Sequence, residues 1–451
     1  MRLTTKIILC FLVLSIFFVA CKQDSKTVAQ KKISKKIMYS DEAILDTIQF
    51  QTFNYFWEGA EPNSGLARER LHMDDLYPTS PKNTVTTGGS GFGLMAILVG
   101  IERGFITRQQ ALEHYERAVD FLEKADRFHG AWPHWLDGET GKVYPFSKKD
   151  DGGDLVETAF LVQGLLTVSE YFKDGNEREQ ALVTKIDKLW KEVEWDWYTN
   201  GEDVLYWHWS PNFGWEMNFP VGGYNECLIM YVLAAASPTY TISKEVYEKG
   251  WARNDSIVSN DSLYNLPVVL NHYEHDSALV GPLFWAHYSY LGLNPKGLKD
   301  QYANYWTLNQ NHAKIHYKYA QENPKNYKGY GDSLWGLTSS YSIKGYAGHR
   351  PGNDLGVISP TAALSSFPYT PTESMQMLKY LYQEQDSLVG KYGPYDAFSL
   401  QDKWYLPRYL AIDQGPIPVM IENHRTGLLW NLFMQNQDVK KGLDKLGFTY
   451  E

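Results

Sequence analysis

Cysteine is scarce in this chain: Cys10, Cys21 and Cys227 are the three in 451 residues. Such a count supplies no disulfide framework, so an apolar core has to hold the fold. No basic run occurs, and 43 Lys and Arg stand against 53 Asp and Glu for a net charge of −10. That balance excludes nucleic acid as the main partner. No His/Cys/Asp cluster has zinc spacing; His272, His275 and His287 are scattered and read as structural. The glycine-rich run Gly88-Gly89-Ser90-Gly91-Phe92-Gly93 lacks the following Lys-Ser/Thr and the βαβ frame of a phosphate loop. No Gly-x-Ser-x-Gly elbow appears, and no alternating pattern at regular spacing supports an all-β fold. These absences leave no cofactor and no metal to expect.

Aromatic residues, by contrast, are abundant: 15 Trp, 32 Tyr and 20 Phe make 15% of the chain. A hydrophobic share of 43% excludes a disordered chain and supplies a large core. At the start, Arg2 and Lys6 precede an apolar stretch from Ile7 to Val19 that is too short for a standard membrane span. It ends in Phe18-Val19-Ala20-Cys21, which resembles a bacterial lipoprotein processing site. Residues 1–20 are therefore expected to be a lipoprotein signal peptide, with Cys21 lipidated and the chain exported to the outer membrane. Residues 21–39, polar and Lys-rich without periodicity, read as a flexible tether. The remainder, 40–451, reads as one catalytic domain, expected to act as a monomer.

Within it the dominant signal is helical, in two alternating classes. Amphipathic stretches begin near Asp41, Thr107, Glu177, Thr241, Leu298 and Pro371. Stretches apolar nearly all round begin near Gly91, Leu155, Tyr224, Leu279, Leu334 and Gly415. A helix apolar on every side should be buried on every side. Interleaving the two classes predicts a double ring, inner helices enclosed by outer ones: an all-α (α/α)6 toroid.

The linkers between helices carry the candidate chemistry. Trp135, Trp207, Trp209 and Trp215 lie in Pro-, Gly- and Asn-rich segments, not in apolar stripes. An amphipathic ring with a polar handle suits a sugar, whose C–H face stacks while its hydroxyls bond carboxylates and amides. Carboxylates sit at the starts of the apolar helices: Asp151 and Asp154 before Leu155, Glu226 before Cys227, and Asp413 with Glu422 around Pro416. Each could instead cap a helix or complement its dipole. Glu226 is the hardest to dismiss, because burial in its apolar run would raise its pKa and suit a general acid. Paired carboxylates in an aromatic cleft are the chemistry of glycoside hydrolysis. His349, Arg350 and Asn353 mark a loop, and Arg350, like Arg68 and Arg425, could bind sugar hydroxyls or brace an acid.

Several of these stretches resemble the glycoamylase-like domain family. They are Thr86–Gly93, Asp151–Phe160, Tyr224-Asn225-Glu226, Ile358–Tyr369, Asp396-Ala397-Phe398 and Asp413–Pro416 with Ile421-Glu422-Asn423, and the likeness spans about Asp41 to Phe433. The resemblance implies an (α/α)6 toroid, and the branch it looks most like is glycoside hydrolase family 144. Members of that branch hydrolyse β-1,2-glucans, internally or by releasing sophorose, without a metal and with inversion. Carried over, Glu226 would be the general acid, Asp413 or Asp151 the base side, and Asp154 a further essential acid. Tyr224, Tyr369 and Glu422 fall in the matching segments and join the expected substrate-binding set. Two alternatives stay open: an exo-glucosidase or glucoamylase-like enzyme of another linkage, and a non-catalytic surface glycan-binding lipoprotein.

Overall fold

The computed structural model describes residues 39–273 and 279–450. The signal peptide, most of the tether, Cys21 and His275 lie outside the described residues. Apolar and amphipathic helices alternate along the chain. Thr87–Glu102 and Leu155–Phe172 are buried over almost their whole length, as are Leu228–Ala236 and Pro416–Ile421 within Pro416–Arg425. Around them lie Asp41–Trp57, Arg108–Leu122, Glu177–Lys191, Tyr305–Glu322 and Pro371–Glu384, each burying one face. The capping follows the sequence. Thr107 with Gln110, and Asn176 with Glu179, form reciprocal capping boxes that satisfy the first free amides of their helices.

Two inner helices meet at glycine. A Cβ on Gly91 would stand 2.2 Å from the Phe160 carbonyl oxygen, and one on Gly164 would stand 2.3 Å from that of Gly91. Only glycine lets Thr87–Glu102 and Leu155–Phe172 approach this closely. So the glycine-rich run that superficially suggests a phosphate loop is a packing device.

Three inner or outer places depart from the simple alternation. The stretch from Leu279 forms 3-10 turns, Leu283–Ala286 and Tyr288–Tyr290, instead of a long helix. The apolar stretch expected from Leu334 is irregular, with Gly336 at φ +103°, and its helix is delayed to Pro360–Leu364, where Pro sits in the first turn. The Thr241 stretch gives only Lys244–Val246 and a π-helical turn, Tyr247–Trp251. Leu228–Ala236 is covered instead by the C-terminal helix Gln437–Leu446, whose Gly442 lies against Ala236.

Short antiparallel ladders lead into the inner helices. Thr84–Thr86 pairs with Trp135–Asp137 and runs directly into Thr87–Glu102. Gly153–Asp154 pairs with His208–Trp209 and runs into Leu155–Phe172. Arg408–Leu410 pairs with Arg70–His72 and runs into Ala411–Gln414. Each ladder thereby holds polar and aromatic side chains at an inner-helix N-terminus. No helix among the described residues is long and apolar enough to cross a membrane.

Candidate active site

A cavity of about 680 Å³ opens over these inner-helix starts. Trp135, Phe146, Trp207, Phe284, Tyr288, Tyr341 and Tyr346 supply its aromatic walls, and Glu69, Glu157 and Glu226 its carboxyl groups. Rings and acids share one hollow, as sugar chemistry requires.

One wall is organised by Asp154, which is fully buried. One oxygen accepts the backbone N–H of Glu157 at 2.9 Å and so caps Leu155–Phe172. The other accepts from His134 Nδ1 at 2.9 Å and from the Trp207 indole N–H at 3.0 Å. Trp207 in turn stacks on Phe219, the planes 2° apart. His134 lies 4.0 Å from Glu157 through Nε2 and 3.8 Å from Asp150 through Nδ1, and Phe146 stacks on its ring. Burial opposes charge on His134, but Glu157, Asp154 and Asp150 outweigh it and raise its pKa to about 10. The same crowding leaves too little positive charge for every acid. Burial lifts Glu157 to about 7 against the pull of His134, and burial together with Asp154 lifts Asp150 to about 7.

His134, Asp150 and Asp154 bring ligand-type atoms within 4.8 Å of one another, the cation-like grouping found among the described residues. The donors already in place decide against a cage. Both Asp154 oxygens receive N–H groups, and His134 carries a proton that a metal would have to displace.

Behind another wall lies a carboxyl pair. Asp413, in Ala411–Gln414, and Asp396 are buried and hydrogen-bonded to each other through their side chains. Neither Asp413 oxygen meets a protein N–H, so burial beside Asp396 favours a neutral Asp413 whose proton Asp396 accepts. The Tyr341 backbone N–H donates to Asp396 at 2.8 Å, which favours the charge there. Burial, then the Asp396 charge, pushes Asp413 well above the carboxylate range, while burial raises Asp396 to about 6. Asp413 acts electrostatically on the hydroxyls of Tyr288 and Tyr346, both of which line the cavity.

Across the cavity, Glu69 and Arg70 form an ion pair, and the Arg70 guanidinium lies 5.8 Å from the Trp135 ring centre and donates to the Tyr341 hydroxyl at 2.9 Å. Arg408 joins this wall and pairs with Asp74 at 3.0 Å.

Of the residues expected from sequence, Glu226, Trp135 and Trp207 line the cavity, Asp154 braces its wall and Asp413 lies behind it. The others sit elsewhere. Asp151 accepts from Ser210 Oγ and from Asn212 Nδ2, ties down the 210–214 turn and does not line the cavity. Trp209 and Trp215 belong to a separate aromatic group outside the cavity lining. Tyr224 and Tyr369 are core residues: the first donates to Asn309 at 2.9 Å, the second to the Ala286 carbonyl at 3.0 Å. Glu422 is an internal counter-ion, 2.7 Å from Arg103. Arg425 braces Asp46 and Glu42, and Arg68 donates to the Lys82 carbonyl; neither lines the cavity. His349 bonds Ser340 Oγ at 3.1 Å, while Asn353 donates to Gly348 and closes a turn with Arg350, all behind the hairpin that carries Tyr341.

Sequence reasoning missed Glu69, Arg70, His134, Glu157, Tyr341, Tyr346, Asp396 and Arg408 as site residues. Glu157 had a signal, standing three residues after a capping Asp at the start of an apolar helix. Asp396 stood in a segment that resembles the family, without a role, because only folding brings it against Asp413; Tyr341 had no signal.

Carboxyl groups among aromatic rings in the cleft of an (α/α)6 toroid are the groups that glycoside hydrolysis uses. Comparison narrows the class. A family model described as "Glycoamylase: Putative glucoamylase" matches residues 218–437. An exo-β-1,2-glucooligosaccharide sophorohydrolase (non-reducing end) of Parabacteroides distasonis is 46% identical over 428 residues, covering 90% of this chain. The chain spans 58% of the length of that curated relative. The structure of an endo-β-1,2-glucanase from Chitinophaga pinensis, in complex with sophorotriose and glucose, is 60% identical, with a TM-score of 0.90 over 91% of this chain and 99% of that one. A β-1,2-glucanase structure from Parabacteroides distasonis is 45% identical, with a TM-score of 0.85 over 91% of this chain and 60% of that one. The chain belongs to the glycoamylase-like family.

Proposed function

We propose that this protein hydrolyses β-1,2-glucan, either internally or by releasing sophorose. The observation that carries the reading is the cavity itself: Glu69, Glu157 and Glu226 set between Trp135, Trp207 and further aromatic rings, in a chain whose relatives are named for β-1,2-glucan. Glu226 protonates the leaving oxygen. The Asp396–Asp413 pair, which lies behind the cavity wall, takes the proton of the attacking water through an intervening water; a base poised near 6 remains ionised at neutral pH while still accepting a proton. Trp135 and Trp207 stack on sugar faces, and Arg70 bonds hydroxyls. A separate donor and water-activating pair implies inversion at the anomeric carbon. The Phe18–Cys21 processing signal supports export as an outer-membrane lipoprotein anchored through Cys21.

The test is digestion of linear β-1,2-glucan with product size and anomeric configuration followed over time. Mixed oligomers indicate internal cleavage, and sophorose alone indicates release from an end. Absence of cleavage here, with cleavage of another glucan, would move the activity to that linkage.

A further inference from the structure

Trp197, Trp209, Trp215 and His129 form a second aromatic surface that the cleft does not use. Trp197 is 41% exposed, although several neighbouring large rings, Trp190, Trp195 and Tyr198 among them, are fully buried. One face of Trp197 is covered by His129, 3.8 Å away and 14° from parallel, and His129 is itself held by Glu194 at 2.9 Å. Trp215 lies 6.4 Å from Trp197 with its plane turned by 35°. Trp209 stands edge-on to both, at 79° to Trp197 and 88° to His129. The result is an open face of Trp197 beside the tilted ring of Trp215, with Trp209 edge-on and Glu194 held against His129. Core packing accounts for the covered face of Trp197 and not for the open one.

The surface is physically continuous with the cleft wall. Gly153 pairs with Trp209 and Asp154 with His208, while the Leu155 N–H donates to the Trp207 carbonyl at 2.8 Å. The bend at Trp207, on the cavity lining, leads directly into His208–Trp209, whose Trp209 joins the outer ring group. Asp151, tied to Ser210 and Asn212, fixes the turn between Trp209 and Trp215. An open indole face with a polar group at its edge binds a neutral sugar ring.

We infer that this surface is a second carbohydrate site that holds a β-glucan chain outside the cleft. The inference rests on the reading that the cleft cuts β-1,2-glucan. Trp197→Ala and Trp215→Ala are made in the full-length protein, with Trp197→Phe keeping a ring, and compared on long β-1,2-glucan and on short oligomers. The expected result is a KM for the polymer about five- to tenfold higher in the Ala variants, unchanged kcat, unchanged kinetics on short oligomers and partial rescue by Phe. In a Glu226→Gln background, which binds without cutting, retardation in a glucan-containing gel should weaken by a similar factor. Polymer KM within twofold of the parent, equal losses on polymer and oligomer, or loss of a dimer on size-exclusion chromatography would each overturn it. If the parent cuts a different glucan and Trp197→Ala loses retardation by that one, the cleft's assignment fails and the second site stands.

Discussion

Replacing Asp154 with Asn tests how the cleft wall is built, because the change keeps shape and removes charge. Asn at Oδ1 can still accept the Glu157 amide, and Asn caps a helix about as well as Asp. The Oδ2 position becomes an NH2 facing two donors, His134 Nδ1 and Trp207 Nε1. A charge-assisted bond to a buried cation is worth about 1.5–3 kcal/mol and a neutral one about 1 kcal/mol. Asp154→Asn should therefore cost about 3 kcal/mol, and Asp154→Ala, which also loses the cap, about 4 kcal/mol. The deficit has a pH signature. His134 titrates at about 10 when folded and at about 6.5 in an open chain, so its stabilisation is complete below about 6.5 and is lost as pH rises towards about 10. The difference between wild type and Asp154→Asn should shrink across that window. Denaturant titration at several pH values measures it, with fluorescence of Trp207 and its neighbours as one probe. A loss under 0.5 kcal/mol, or one that is flat with pH, would refute the proposed link between Asp154 and a charged His134.

Other consequences are equally direct. Glu226→Gln should lower kcat by about 10²–10⁴-fold with the melting temperature nearly unchanged, in a reducing-sugar assay. Asp413→Asn and Asp396→Asn should each cut kcat comparably, since either leaves the pair without its charge or without its shared proton; a full rate in both would remove the pair from the mechanism. Asp150 and Glu157, with folded pKa values of about 7, and Asp396, at about 6, favour the folded state most while protonated. Their contribution is complete below about 4 and falls as pH rises to about 7, so calorimetry should show a higher melting temperature near pH 5.5 than near pH 8. Gly91→Ala would drive a methyl group into the Phe160 carbonyl and should destabilise by about 1–3 kcal/mol or more in thermal melts.

Local chemistry made much of the fold legible. The Thr107 and Asn176 capping boxes, and the apolar lengths of Thr87–Glu102 and Leu155–Phe172, are short-range patterns that a helix cannot hide. The delayed Pro360–Leu364 helix was less legible, because an apolar stretch reports burial and not backbone conformation. At the site, Glu226 could be singled out as an acid beside an apolar run. The same reasoning promoted Glu422, which instead faces Arg103 at a sequence separation of 319. An acid at the start of a buried helix looks alike whether it meets substrate, an arginine or another acid.

What the sequence alone determined is the alternation of buried and half-buried helices, their caps, the aromatic wealth of the linkers and the placing of acids at inner-helix starts. All of these follow from interactions a few residues long. Tertiary structure alone decided which acids work together: Asp154 with His134 and Trp207, Asp396 with Asp413, Glu69 with Glu157 and Glu226. It also sorted the tryptophans, sending Trp135 and Trp207 to the cleft and Trp197 and Trp215 to the outer face. Protonation and ring exposure depend on what lies within a few ångströms, and those neighbours, from Asp396 and Asp413 to Glu69 and Glu226, lie beyond the reach of any local pattern.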